Sequence, residues 1–208
     1  MHAMPTRVAV LGTGDMGTAL AQLAARSGFD VVSGSRRVAD GGAAVSLDAA
    51  LASSTFVFNT IPAHELAATA VVAPAGVLVV DVSNPEDDEG RGLRIDHASS
   101  GAEALARLWP QATIAKALNH VYAEVLAQLS EGSRTPSTFV ASDSADAKAI
   151  VERVLAAMGL HAIDAGPLAS SRLTEPFAML MVELVHGRGW KPEDTALLCL
   201  AGSRGAAT

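Results

Sequence analysis

The chain has 208 residues, of which 50% are hydrophobic, 4% aromatic and 18% charged. So apolar a composition excludes a disordered chain, and at about 150 residues per domain the length suffices for a core that needs no disulfide or metal. A single cysteine, Cys199, excludes a disulfide framework and a structural zinc site, and the formal net charge of −7 argues against a nucleic-acid partner. Any anionic ligand must therefore be held by a local cluster of residues. The longest apolar stretch, Val71 to Val82, contains Pro74 and Gly76, well short of the roughly 20 residues of a membrane span. Met1 to Pro5 lack the basic and apolar parts of a signal peptide. The expectation is a soluble, cytoplasmic protein with no membrane partner.

Short apolar runs alternate with helical patterns, the mark of βαβ units around a parallel sheet. Strands are expected at Arg7–Leu11, Asp30–Ser33, Thr55–Thr60 and Val77–Val82, with helices at Met16–Ala25, Leu47–Ala52, Ala63–Val72 and Gly101–Leu108. Thr113–Ala117 reads as extended. The last third continues with helix Tyr122–Leu129, strand Thr138–Ala141, helix Ala145–Met158, strand His161–Asp164 and a final helix from about Leu173 to Leu184. Arg36–Ala44 and Asn84–Ser100 read as loops, the second carrying the acidic run Glu86-Asp87-Asp88-Glu89. The fold class is α/β: a doubly wound, Rossmann-type parallel sheet over about residues 5–120, with C-terminal α/β additions over 121–208 in one compact domain.

Gly12-Thr13-Gly14-Asp15-Met16-Gly17 matches G-x-G-x-x-G directly after a strand and at the opening of a helix. The first glycine permits the tight turn, the second lets a pyrophosphate approach the backbone, and the third packs helix on strand. The free amides at the helix start then face the phosphates. About 20 residues on, at the end of the second strand, a site for NAD places Asp or Glu on the ribose 2′-hydroxyl. Here the chain reads Ser33-Gly34-Ser35-Arg36-Arg37, and the nearest downstream carboxylate is Asp40. Guanidinium groups suit a 2′-phosphate, so NADP(H) is expected over NAD(H).

Three further strand ends carry polar or proline punctuation: Asn59-Thr60-Ile61-Pro62, Asp81-Val82-Ser83-Asn84-Pro85 and Lys116-Ala117-Leu118-Asn119-His120. Ligands of this fold lie across the carboxyl ends of the strands, and such crests can orient a nicotinamide carboxamide; ordinary turn chemistry explains each segment equally well.

In that order and spacing, G-T-G-D-M-G-T-A-L-A, G-S-R-R, T-I-P, D-V-S-N-P and K-A-L-N-H resemble the NADPH-dependent coenzyme F-420 reductase (F-420:NADP oxidoreductase) family, as does Ala165–Pro176. Ala102–Asn119 is also similar to the cytosolic NADPH-binding domain of the six-transmembrane metalloreductases, which pass hydride to FAD. The resemblance implies that Thr13, Ser35 and Arg36 hold the 2′-phosphate with help from Arg37. It places Thr60, Ile61, Pro62, Asn84 and Asn119 near the nicotinamide. Between Arg37 and Leu47 the chain is shorter than in that family, which leaves only the two arginines near the 2′-phosphate.

Nicotinamide and deazaflavin or flavin exchange hydride directly, so no catalytic acid or base and no metal site is assigned. Tyr122 is the only tyrosine and has Leu126 four residues on, which counts against a Tyr-x-x-x-Lys carbonyl reductase. His64 and His120 are the histidines near the crests. Arg172 and Glu175 are candidates for the rim of an acceptor pocket under the C-terminal segments, with Arg188 or Lys191 toward an anionic tail. Leu173, Phe177, Leu180, Met181 and Leu184 serve either the core or the homodimer interface that the resemblance implies. The open alternatives are a reductase of a small organic substrate and a non-catalytic NADPH sensor.

Overall fold

The protein is described from a computed structural model over residues 3–38, 42–88, 92–95, 98–130 and 135–196. Asp40, Glu89 and Cys199 lie outside the described residues. The strands are β1 (Arg7–Leu11), β2 (Asp30–Ser35), β3 (Val45–Ser46), β4 (Phe56–Asn59), β5 (Leu78–Asp81), β6 (Thr113–Lys116), β7 (Ser137–Ala141) and β8 (His161–Gly166). They form one sheet in the order β3-β2-β1-β4-β5-β6-β7-β8. The order reverses at β1, whose carboxyl end is therefore a topological switch point, the place where such sheets hold ligands.

The helices are α1 (Asp15–Arg26), α2 (Leu47–Ser53), α3 (Ala63–Leu66), α4 (Gly101–Leu108), α5 (Ala123–Gln128), α6 (Ala145–Ala157), α7 (Ser171–Val182) and α8 (Pro192–Ala196). Alternation along the strands divides the core between the two faces. Val8, Val10, Phe56 and Phe58 pack with Leu20 of α1, Leu126 of α5 and Val151 of α6. Ala9, Leu11 and Val57 pack on the other face with Leu51 of α2 and Leu105 of α4. Each fully buried valine, leucine or phenylalanine among them contributes about 1.5–3 kcal/mol.

Three expectations need correction. The helix expected over Ala63–Val72 stops at Leu66, because the Thr69 hydroxyl donates to the Leu66 carbonyl (2.7 Å) and accepts from the Val71 amide (3.3 Å). That local turn competes with the helix ladder, and the Trp109 indole N–H secures the Val71 carbonyl at 3.0 Å. The final helix starts at Ser171, ahead of Leu173, and after Val182 widens into a π-type turn over Glu183–Gly187.

The sheet is parallel only as far as β6. Strand β7 pairs antiparallel to it through Lys116 and Ala141, and β8 then runs parallel to β7. Strand β7 thus starts beyond the crest of β6 and descends beside residues 117–120. There the Thr138 hydroxyl accepts from the Leu118 amide at 2.7 Å.

Candidate functional site

The turn after β1 is set by steric limits at two glycines. Gly12 has φ +104°, and a Cβ there would stand 2.2 Å from the Thr60 hydroxyl oxygen. A Cβ on Gly17 would meet the Gly12 carbonyl oxygen at 2.1 Å. Gly14 is different: a Cβ there meets no protein atom within 4 Å, so the space over it is open. The turn is tied down on both sides, by the Gly12 amide on the Gly34 carbonyl (2.9 Å) and by the Thr60 hydroxyl on the Leu11 carbonyl (2.8 Å).

Helix α1 begins on Gly14 with no side-chain cap, whereas Ser46, Ser100 and Ser144 cap α2, α4 and α6. The first-turn amides of α1 are left for a ligand, and the helix dipole favours an anion there. Residues Gly12 to Gly17 line a cleft of about 490 Å³ together with Ser35, Arg36, Arg37, Thr60, Ile61 and Pro62. The structure thus brings together twelve of the fourteen expected site residues around one cleft. Ser35 is buried; its hydroxyl lies 3.4 Å from that of Thr13 and accepts from the Arg37 amide at 3.2 Å. The open space above Gly14, the uncapped amides and the Ser35–Arg36–Arg37 edge fit a dinucleotide with a phosphorylated ribose.

The other two expected residues, Asn84 and Asn119, line an adjoining cavity of about 580 Å³. Asn84 donates to the Asn119 carbonyl (2.7 Å), and the Asn119 amide donates to Asn84 Oδ1 (3.0 Å) and the Thr174 carbonyl (2.9 Å). Asn119 Oδ1 is buried with no partner, an acceptor left over at the cavity wall. The cleft and the cavity share Asp15, Met16, Thr60, Pro62 and Glu65, so the two form one groove over the switch point.

Below the asparagines lies a buried charge cluster that sequence reasoning missed. Lys116 Nζ contacts Asp81 Oδ2 and Glu175 Oε1, each at 2.8 Å, and also donates to the Ser83 carbonyl. Asp81 Oδ1 accepts from Asn59 (3.2 Å) and from the Ser83 hydroxyl (2.8 Å), while Glu175 accepts the amides of Gly101 and Ala102. Burial opposes the charge on Lys116, but Asp81 and Glu175 outweigh it and hold its pKa above the ordinary lysine value. The network fastens α7 and the start of α4 beneath the crests of β5 and β6. Between Lys116 and Asn119, Leu118 takes φ +63°, strained for a residue with a branched side chain.

The C-terminal expectations are corrected here. Glu175 is structural, and Arg172 forms a bidentate pair with Glu103; neither lines the cavity. Arg188 pairs with Glu183, and Lys191 also lies away from the cavity lining. The cavity is instead bounded by Glu86, Asp87, Glu124 and the Asp88–Arg94 ion pair, with Tyr122 between them and the apolar Val121, Ala178 and Met181. Burial raises the pKa of Glu86 against a hydrogen bond from Asn84, and burial with the nearby Glu124 and Glu86 raises that of Tyr122. Of the two histidines, His64 is exposed and His120 is buried in a three-ring cluster with Phe139 and Phe177, and both line the cavity.

Residues 7–85, from β1 through the D-V-S-N-P crest, match the family described as NADP oxidoreductase, coenzyme F420-dependent. The match spans less than half of the chain. The chain is 34% identical over 189 residues to the metalloreductase STEAP3 of Rattus norvegicus, covering 85% of this chain and 37% of that protein. It therefore spans little more than a third of that relative. A structure from Arthrobacter sp. FB24, provisionally named an F420-dependent NADP-reductase, superposes with a TM-score of 0.74 at 25% identity. It covers 88% of this chain and 95% of that one. A hypothetical protein from Sinorhizobium meliloti gives a TM-score of 0.68 at 26% identity, over 80% of this chain and 87% of that one. The residues that match the NADP oxidoreductase family are those that carry the glycine turn and the arginine edge. No helix among the described residues is long and apolar enough to cross a membrane.

Proposed function

We propose that the chain binds NADPH along the groove and transfers hydride directly between it and an acceptor in the adjoining cavity, coenzyme F-420 or a flavin. The continuity of the dinucleotide cleft with a second cavity of comparable size carries this reading. The nicotinamide cofactor supplies the hydride chemistry when bound. The chain's own work is binding and orientation: the α1 amides and Gly14 receive the pyrophosphate, and Thr13, Ser35, Arg36 and Arg37 receive the 2′-phosphate. Ile61, Pro62, Asn84 and Asn119 orient the reacting end. No side chain is assigned as acid or base.

A second reading, a small organic acceptor with no second cofactor, is favoured by the acidic cavity wall. Glu86, Asp87 and Glu124 oppose the phosphate and glutamates of a deazaflavin tail, whereas Asp88 is paired with Arg94 in the same lining. The homodimer implied by the family is supported by Leu173 and Leu180, 74% and 51% exposed on one face of α7.

The test is absorbance at 340 nm with NADPH and F-420, FAD, FMN or buffer added in turn. Rapid oxidation with F-420 or a flavin supports the first reading. Binding with no turnover by any of them rejects it in favour of the small substrate or a non-catalytic sensor. Glycine substitutions test the groove itself. Gly14→Ala is expected to weaken NADPH binding about tenfold or more, while changing stability by no more than about 1 kcal/mol. Gly17→Ala, whose Cβ overlaps the Gly12 carbonyl, is expected to lower the melting temperature clearly. Equal NADPH affinity in wild type and Gly14→Ala, measured by fluorescence titration, contradicts the placement of the phosphates.

A further inference from the structure

The arginine expected to read the 2′-phosphate already has a partner. Arg36 Nη1 lies 2.5 Å from Glu65 Oε2, with the two side chains 48% and 36% exposed. Arg36 follows β2 and Glu65 lies in α3 after β4, so the pair reaches over β1 and its glycine turn from the strands on either side. Both residues line the dinucleotide cleft. The end of β2 lacks the carboxylate that an NAD site uses for the ribose hydroxyl; Glu65 brings one in from the opposite wall.

We propose that Glu65 is a specificity-determining residue, which sets the balance between the two nicotinamide nucleotides by competing for the Arg36 guanidinium. The proposal rests on the reading that this cleft takes NADPH. A 2′-phosphate must draw Arg36 away from Glu65, and the carboxylate then stays within reach of the incoming dianion and repels it. An exposed ion pair is weak enough for that exchange to occur readily. An unphosphorylated ribose meets a neutral pair, and its 2′-hydroxyl can donate to the Glu65 carboxylate. Glu65 therefore weakens NADPH binding and supports NADH binding, opposite in sign to Arg36.

Fluorescence titration of NADPH and NADH against wild type, Glu65→Gln and Arg36→Ala, at low and high salt, tests this. In Glu65→Gln the NADPH Kd is expected to fall about 3- to 10-fold at low salt and less at high salt, with NADH binding unchanged or weaker. Arg36→Ala is expected to weaken NADPH about tenfold and leave NADH within twofold. Weaker NADPH binding in Glu65→Gln would make Glu65 a support for Arg36 and overturn the proposal. An equal shift for both nucleotides, or none, overturns it too while leaving the NADPH reading intact. A wild-type chain that binds neither nucleotide overturns that reading and the proposal with it.

Discussion

Lys116→Met is expected to lower the unfolding free energy by about 3–5 kcal/mol, the usual effect of removing one partner from a buried charge network. The side chains of Lys116, Asp81 and Glu175 are 1%, 1% and 2% exposed. Without the ammonium, two carboxylates share a site that water does not reach, and the Ser83 carbonyl loses a donor. Methionine fills much of the same volume, so the loss reports charge and not a cavity. Glu175→Gln is the milder control, because Lys116 keeps Asp81 and the one amide oxygen still accepts the Ala102 amide, while the Gly101 amide loses its acceptor. Urea unfolding of both variants is the measurement. A loss below about 1 kcal/mol for Lys116→Met would mean that water or a rearrangement satisfies the carboxylates. Since domains carry about 5–15 kcal/mol in all, the expected loss is a large share of the total.

The second large effect is a dependence on pH through His120. The residue is 3% exposed, packs against Phe139 and Phe177, and keeps one contact from Nε2 to the Ser137 carbonyl at 3.3 Å, while Nδ1 is buried with no partner among the described residues. Burial lowers its pKa to about 4, against a smaller opposing effect of the Ser137 contact. In the unfolded chain the imidazole takes up a proton near pH 6.5. Between these values the unfolded state binds more protons, so stability is full above pH 6.5 and falls as pH drops toward 4. The contribution over the whole window is about 3 kcal/mol. Glu103, held low chiefly by its bond from Arg172, and Asp164, held low chiefly by Lys148, add losses at the acid end.

Comparison with His120→Leu isolates the histidine, because those carboxylates remain in both proteins. Between pH 7 and pH 5 the wild type is expected to lose about 2 kcal/mol more than the variant. Parallel pH profiles would contradict this. So would an NMR titration of His120 with a midpoint near 6.5, a readout that does not depend on the variant folding.

Much of the site was legible because its signals are local in the chain. A strand, three glycines at fixed spacing and a helix start occupy Arg7 to Arg26 without interruption, and the backbone geometry they require is set by residues a few positions apart. The same holds for the Ser35-Arg36-Arg37 edge, whose distance from the turn follows from the length of one helix and one strand. The charge cluster left a trace that went unused: Asp81 and Lys116 each close a strand otherwise free of charge, and they are register partners on adjacent strands. Glu65 left none. It reads as an ordinary acidic residue in the first turn of a short helix, and its partner lies 29 positions away.

The residue pattern of this chain alone dictates an α/β sheet with a dinucleotide turn at its switch point and a basic edge suited to a 2′-phosphate. Those properties follow from periodicity, glycine sterics and side-chain charge within short segments. Tertiary structure alone decides which charges are free to act. Arg36 is paired with Glu65, Glu175 and Arg172 are withdrawn from the cavity they were expected to rim, and acidic residues of the Asn84–Ser100 loop take their place. The direction of β7, antiparallel to β6 through Lys116 and Ala141, is likewise settled in three dimensions. Each of these outcomes depends on the distance between groups far apart in sequence, and ionic and steric forces act on that distance.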